Sequence, residues 1–489
     1  MEDIKLPKFD RNTVTKSTKE APSWIHFGAG NIFRAFCAAD LQKLLDEGIE
    51  SKGVIVAEGF DYEIIDKAFL PYDNLTTLVT LKANGTMEKT KIASIVEALK
   101  VDETNTNDWE RLKEIFTSPS LQMASFTITE KGYAPTEFMK KVTALLFERY
   151  KAGGTPLAMV SMDNCAQNGT RLFETIRSCA DALTGEFADK DFINYIENKV
   201  SFPWTMIDKI TPRPDEDIAK RLNAEIIVTS KNTYTSSFVN AEEVQYLVIE
   251  DTFPNGRPKL EEAGVYFADR TTVEKVEKMK VCTCLNPLHT ALAVFGCLLG
   301  YTKISEEMKD KELVKLVEGI GYKEGLPVVT HPKILEPKQF IDDVLTVRLP
   351  NPFMPDAPQR IACDTSQKVP IRFGETIKAY AADDKLDVAD LTLIPLVLAG
   401  WCRYLLGIDD EGNAFECSPD PKLDELQKAL EGIGLGSADY GDKLRQILSN
   451  ADYFAVDLYA VGLGEKVEGM FGEMIKGKGA VRGALERYT

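Results

Sequence analysis

Trp24-Ile-His-Phe27-Gly28-Ala-Gly30-Asn-Ile-Phe33-Arg34 is the stretch on which the fold turns. Trp24 to Phe27 suits a short buried strand, two glycines come next, and a helical pattern runs from about Phe33 to Glu47. A second apolar run, Gly53-Val-Ile-Val-Ala-Glu58, reads as a strand closed by an acid. Strand, glycine turn, helix, strand, acid is the order of a dinucleotide-binding βαβ unit. Gly28 and Gly30 would let the backbone approach a pyrophosphate at the start of the helix, where Asn31, Ile32, Phe33 and Arg34 also stand. Glu58 would accept hydrogen bonds from the adenosine ribose and repel a 2′-phosphate, which favours NAD over NADP. Phe33 replaces the third glycine of the motif, and a plain tight turn is the alternative reading. Asp61 is either a second ribose partner or a cap for the segment that begins at Tyr62.

Working outward, Leu75–Leu81 has β character and Asn84-Gly85 marks a turn. Helices are expected near 108–116 and 136–150. Strands are expected at 123–128, ending in Thr129-Glu130-Lys131-Gly132-Tyr133, and at 156–161, ending in Met162-Asp163-Asn164 and Asn168-Gly169. Open α/β sheets place ligands at strand C-termini, so Thr129, Asp163 and Asn164 are candidates for the cofactor. For Asp163 and Asn168 helix capping is an equal alternative. From about Lys275 the pattern becomes helical, at 289–301, 304–320, 389–407, 420–433, 441–449 and 466–474. The expected fold is therefore an α/β Rossmann-type dinucleotide-binding domain over 1–274, followed by a mostly α-helical domain over 275–489.

Length and composition, 489 residues with 44% apolar and 27% charged, are those of an ordinary globular protein of two or three domains. A net charge of −18 argues against nucleic acid or an anionic membrane as partner, although local cations can still hold a small anion. The N-terminus lacks the apolar core of a secretory signal. The apolar runs 291–301 and 391–406 are too short or too interrupted, by Pro395 and Arg403, to span a bilayer. Nine cysteines include no CxxC pair, and Cys282 and Cys284 lack a second ligand pair. No metal is expected, and the thiols fit a cytoplasmic protein.

At the head of the helical half, Lys280-Val-Cys-Thr-Cys-Leu-Asn-Pro-Leu-His289 gathers three polar groups before an apolar run. Asn286 and His289 share one face of a first turn, where Pro287 costs nothing. A base with neutral donors for a developing alkoxide is what a metal-free alcohol dehydrogenase needs. The plainer alternative is a helix start with ordinary caps and one satisfied histidine.

Taken in order, these stretches resemble the mannitol dehydrogenase family, the polyol-specific long-chain dehydrogenases and reductases. The resemblance covers nearly the whole chain. Its motifs are Gly28-Ala-Gly30-x-x-Phe33-Arg34, Thr127-x-Thr129-Glu130-Lys131-Gly132-Tyr133, Asp163-Asn164 with Asn168-Gly169, Ile207-Asp208-Lys209-Ile210-Thr211-Pro212, Glu250-Asp251-x-Phe253 and Arg360-Ile-Ala-Cys-Asp364-Thr-Ser-Gln-Lys368. It implies NAD-dependent, metal-independent interconversion of a ketose or keto-uronate with its polyol or aldonate. It also implies that Lys280 is the general acid/base, that Asn286 stabilises the alkoxide and that His289 binds substrate. By the same resemblance Asp251, Arg360 and Lys368 bind substrate hydroxyls or a carboxylate. Three departures stand out. Five residues separate Lys280 from Asn286 where the family usually has four. Trp204 replaces an asparagine that can serve as a second oxyanion donor, and Phe36 replaces a histidine. Glu277, three before Lys280, favours that lysine over Lys278.

The wording Cys-Leu-Asn-Pro-Leu-His, with Asp208-Lys209-Ile-Thr-Pro-Arg213-Pro, points within the family to D-mannonate/D-fructuronate, as in a fructuronate reductase, with Lys209 and Arg213 as carboxylate candidates. Mannitol/fructose, as in a mannitol 2-dehydrogenase, is the alternative, and tagaturonate the next. A non-catalytic NAD- or sugar-binding protein on the same fold is the reading from another class. The expected partner is a small sugar acid or polyol, and the expected assembly a monomer or small homo-oligomer.

Overall fold

A computed structural model describes residues 4–184 and 190–489. The chain divides into two compact units, Met1–Lys82 with Thr86–Glu274, and Ala83–Gly85 with Lys275–Thr489.

The first unit is built on six parallel strands: β1 (Trp24–Phe27), β2 (Val54–Glu58), β3 (Ile95–Lys100), β4 (Met123–Phe126), β5 (Leu157–Ser161) and β6 (Val200–Ser201). Their order across the sheet is β3-β2-β1-β4-β5-β6, the doubly wound order in which ligands sit at the switch between β1 and β4. β1, β2, β4 and β5 are buried along their whole length, which explains their unbroken apolar reading. The Rossmann-type fold expected from Gly28 to Glu58 is the one found.

His26 is the polar residue inside β1, and it is a satisfied core residue. Its ring nitrogens meet Ser125 Oγ at 2.6 Å and Thr127 Oγ1 at 2.8 Å, both on the β4 side. Burial pulls its pKa down to about 3, so the ring stays neutral. Phe33 stacks on it, centroids 4.2 Å apart. The helix after the glycine turn opens with a π-turn, Phe33–Cys37, and continues as α1 (Ala38–Asp46). The wider π-turn leaves room for a phenyl ring where a third glycine would let helix and strand close up. A smaller three-stranded sheet joins Thr205–Asp208, Tyr246–Glu250 and Tyr266–Ala268. A hairpin turns at Gly85, at φ 81°, between Thr76–Leu81 and Met87–Ile92.

The second unit is helical. One helical run, Arg270–Leu298, is long and apolar enough by composition to cross a membrane, but 78% of its apolar window is buried inside the fold. It comprises α2 (Arg270–Met279), a π-turn at Lys280–Cys284, and α3 (Asn286–Leu298). α3 packs on α4 (Leu393–Tyr404), every residue of which is buried.

Candidate active site

In the first unit a cavity of about 640 Å³ opens at the C-terminal ends of β1, β2 and β4. Gly28, Gly30, Glu58, Thr129, Lys131 and Lys231 line it, and its volume is that of a small-molecule or cofactor site. Gly28 has φ +107°, and a Cβ there would lie 2.3 Å from the Thr127 carbonyl oxygen. Only glycine fits both constraints. Around Gly30 a Cβ would meet nothing within 4 Å, so this glycine keeps space open in the cavity wall. A dinucleotide's pyrophosphate suits that opening beside the helix start.

Glu58, in the cavity wall, also braces the turn. Its carboxylate accepts from Ala29 N at 2.8 Å, Phe60 N at 2.7 Å and Asp61 N at 3.1 Å, clamping the glycine turn to the end of β2. Oε2 accepts only from Ala29, which leaves it able to take a further donor from the cavity. Asp61 is no cap: its carboxylate accepts from Thr229 Oγ1 at 2.6 Å.

Phe33 and Arg34, expected at the cofactor, do not line the cavity. Both are fully buried. The Arg34 guanidinium donates to Ser236 O at 2.6 Å, Asn31 Oδ1 at 2.8 Å and Thr235 Oγ1 at 3.2 Å, tying the helix start to the strands beside it. The motif gives the position of a side chain along the helix but not its rotation around it. Asn31 and Ile32 open the helix and are partly exposed. Asp163 holds the cavity's Ile128–Tyr133 wall, accepting from Ile128 N at 3.0 Å and Tyr133 OH at 2.5 Å. Burial pushes this carboxyl up to about 7, against both hydrogen bonds. Asn164, next along, is exposed. Asn168 is fully spent between the Ser161–Asp163 backbone and Thr205.

Four further positions are committed elsewhere. Trp204 donates its indole N–H to Thr170 Oγ1 at 2.9 Å, under the Arg270 guanidinium at 4.9 Å, so it is not available as an oxyanion donor. Asp251, expected to hold substrate, is gripped by Arg257 through Nε at 2.9 Å and Nη2 at 3.2 Å, and so braces its own loop. Lys209 is bonded to Gln245, and Arg213 lies over the Tyr234 ring.

In the second unit the Lys280 cluster is assembled by one helical run. The extra residue between Lys280 and Asn286 is absorbed by the π-turn, closed by Leu285 N to Lys280 O at 3.1 Å. A π-turn is how a helix accepts one inserted residue without breaking. Lys280 is buried, 4% exposed, while Lys278 is exposed. α3 begins immediately afterwards, and of its 13 residues all but Asn286 and His289 are buried. Those two polar side chains are therefore the points at which this core helix reaches its surface. Among the described residues the Asn286 carboxamide makes no hydrogen bond, and His289 Nε2 is buried with none, 3.6 Å from Asp356 Oδ2. Burial, assisted by Arg372, Arg360 and Arg348 and opposed by Asp356, pulls His289 down to about 4, leaving a neutral imidazole.

The expected cations are placed close by but differently occupied. Arg360 is exposed and ion-paired with Asp356. Lys368 donates to the carbonyls of Ile361 and Cys363, and burial lowers its pKa. Arg372, absent from the sequence expectations, donates to Thr290 Oγ1 at 2.5 Å. It lies four residues past Lys368, in a run whose π-turn at Pro370–Gly374 the sequence does not signal. Among the described residues no group of three or more His, Cys, Asp or Glu is placed to hold a metal ion.

Residues 22–262 match the family model described as the mannitol dehydrogenase Rossmann domain, and residues 272–470 that of the mannitol dehydrogenase C-terminal domain. A D-mannonate oxidoreductase of Thermotoga maritima is 54% identical, over 99% of this chain and 96% of that protein. Among solved structures, a substrate-free D-sorbitol dehydrogenase superposes with TM-score 0.81 at 24% identity, over 99% of this chain and 98% of that one. Pseudomonas fluorescens mannitol 2-dehydrogenase, in a ternary complex with NAD and D-mannitol, superposes with TM-score 0.69 at 24% identity, over 100% and 97%.

Proposed function

Because the chain belongs to the mannitol dehydrogenase family, both of whose domain models it matches in order, we propose that it is an NAD-dependent oxidoreductase interconverting D-fructuronate and D-mannonate. The observation that carries the substrate is the 54% identity, over almost the whole chain, to a D-mannonate oxidoreductase. The concentration of Arg348, Arg360, Lys368 and Arg372 around His289 supports an anionic substrate in a protein of net charge −18.

The bound nicotinamide supplies or accepts the hydride. Gly28 and Gly30 would leave the backbone open to its pyrophosphate, and Glu58 Oε2, which has only Ala29 N as donor among the described residues, would accept from its ribose. Lys280 gives a proton to the carbonyl oxygen as fructuronate is reduced and takes it back as mannonate is oxidised. Asn286 donates its carboxamide N–H to the same oxygen while negative charge develops there. His289, neutral, exchanges hydrogen bonds with a neighbouring substrate hydroxyl.

The test is a panel of fructuronate, fructose and tagaturonate, each assayed with NADH and NADPH. Fructuronate with NADH should be the best pair by at least tenfold in kcat/KM. Preference for fructose would move the substrate to mannitol/fructose, and binding of NADH without turnover on any of them would leave a sensor. Glu58→Ala should weaken NADH and lower Tm together. It removes the ribose acceptor and strands three backbone N–H groups, at about 1–3 kcal/mol for each left unpaired. If Tm holds while NADH weakens, Glu58 is a cofactor residue alone.

Lys280 and Asn286 do here the charge stabilisation that zinc does in other alcohol dehydrogenases, so activity should survive exhaustive dialysis against EDTA. Activity lost on chelation and restored by zinc would refute this.

A further inference from the structure

Arg372 sits in the π-turn Pro370–Gly374, which packs on both the Lys280–Cys284 turn and α3. Its partner Thr290 comes directly after His289, so the guanidinium lies on the helix that carries Asn286 and His289. Among the described residues that single hydrogen bond is all it makes, and no carboxylate pairs with it. Burial, unopposed by any acid, brings its pKa down to about 10.

Several other cations of this unit have partners among the described residues. Arg360 has Asp356, Lys368 has two carbonyls, Arg482 has Asp310, and the buried Arg403 has the carbonyls of Met474, Ile408 and Asp409. A largely buried cation without an anionic partner is costly and persists where a ligand supplies the missing charge. Asn286, at the reacting oxygen, and Thr290 are one helical turn apart, about 6 Å along the axis. That is close to the reach of the four carbon–carbon bonds that separate the ketone of a hexuronate from its carboxylate.

We propose that Arg372 receives the substrate's carboxylate and thereby sets the preference for a sugar acid over the corresponding polyol. The proposal rests on the reading of the Lys280 cluster as the active site. Arg360 and Lys368, the cations expected in this role, are held by Asp356 and by the carbonyls of Ile361 and Cys363. The planar fork of arginine suits a carboxylate bidentately, which a lysine does not reproduce.

D-mannonate and D-mannitol differ only in carboxylate against hydroxymethyl, and neither reacts when NADH occupies the cofactor site. Their dissociation constants are to be measured by calorimetry on the NADH-bound enzyme, as wild type, Arg372→Gln and Arg372→Lys. Wild type should bind mannonate at least tenfold more tightly than mannitol. Arg372→Gln should weaken mannonate by about 100-fold and mannitol by less than threefold, with Arg372→Lys between. Equal losses on both ligands, or no loss on mannonate, overturn the proposal. If Arg372→Gln does not fold, judged by Tm and NADH binding, Arg372→Lys decides alone: it must weaken mannonate more than mannitol. Wild type that shows the mannonate preference but does not reduce fructuronate would remove the proposed reaction and leave Arg372 as the carboxylate site.

Discussion

Lys280→Ala is expected to lower kcat by about 10²–10⁴, with NADH affinity unchanged. Lys280 stands at the end of α2 on the π-turn and is the buried lysine of the stretch. Truncation removes the amine of the proposed acid/base, while the glycine turn at Gly28 and Gly30 lies in the other unit and is left intact. Lys278, two residues earlier and exposed, is the internal control: Lys278→Ala should keep kcat within about twofold of wild type, as surface substitutions commonly do. Steady-state kinetics with NADH titrations on both variants decide the matter. Full turnover by Lys280→Ala would remove the acid/base assignment.

The two glycines at the cavity should respond in opposite ways. Gly28→Ala places a methyl group 2.3 Å from the Thr127 oxygen at φ +107°. The turn must distort, at a cost of about 1–3 kcal/mol for the backbone conformation alone, so Tm and NADH binding should fall together. Gly30→Ala meets no protein atom within 4 Å. Its Tm should stay at the wild-type value while NADH weakens by tenfold or more, because the methyl group takes cavity space meant for the cofactor. Thermal melts and fluorescence titrations of the two variants separate a glycine needed by the chain from one needed by the ligand. An unaltered NADH affinity in Gly30→Ala would displace the pyrophosphate from this turn.

The dinucleotide fold was legible because its evidence is local: two buried apolar strands, a glycine turn and a helix with predictable spacing. The helix expected at 136–150 is found at Glu137–Lys151, with Thr136 as its cap. The run expected as one helix at 304–320 is two, Ile304–Glu307 and Lys311–Glu318, because Asp310 caps a new start through the Glu312 and Leu313 N–H groups. The helix Pro337–Asp343 went unread, being only seven residues long. At the candidate site the residue types at 280, 286 and 289 were readable, but their occupancy by neighbours was not. That Arg360 and Asp251 already hold partners is set by Asp356 and Arg257, whose roles depend on tertiary placement. Arg372 escaped notice for the same reason: its lack of an acid is a property of its surroundings.

The π-turn after Lys280 has a consequence for how related chains are aligned. In an uninterrupted α-helix one added residue rotates everything beyond it by about 100°, so a family with four residues before its asparagine and this chain with five should present different faces. The wide turn takes up that phase. A search that fixes the interval and counts back from Asn286 lands on Val281, an aliphatic side chain with no proton to give, and would score the protein as a dead relative. Matching by helical face instead of by count recovers Lys280.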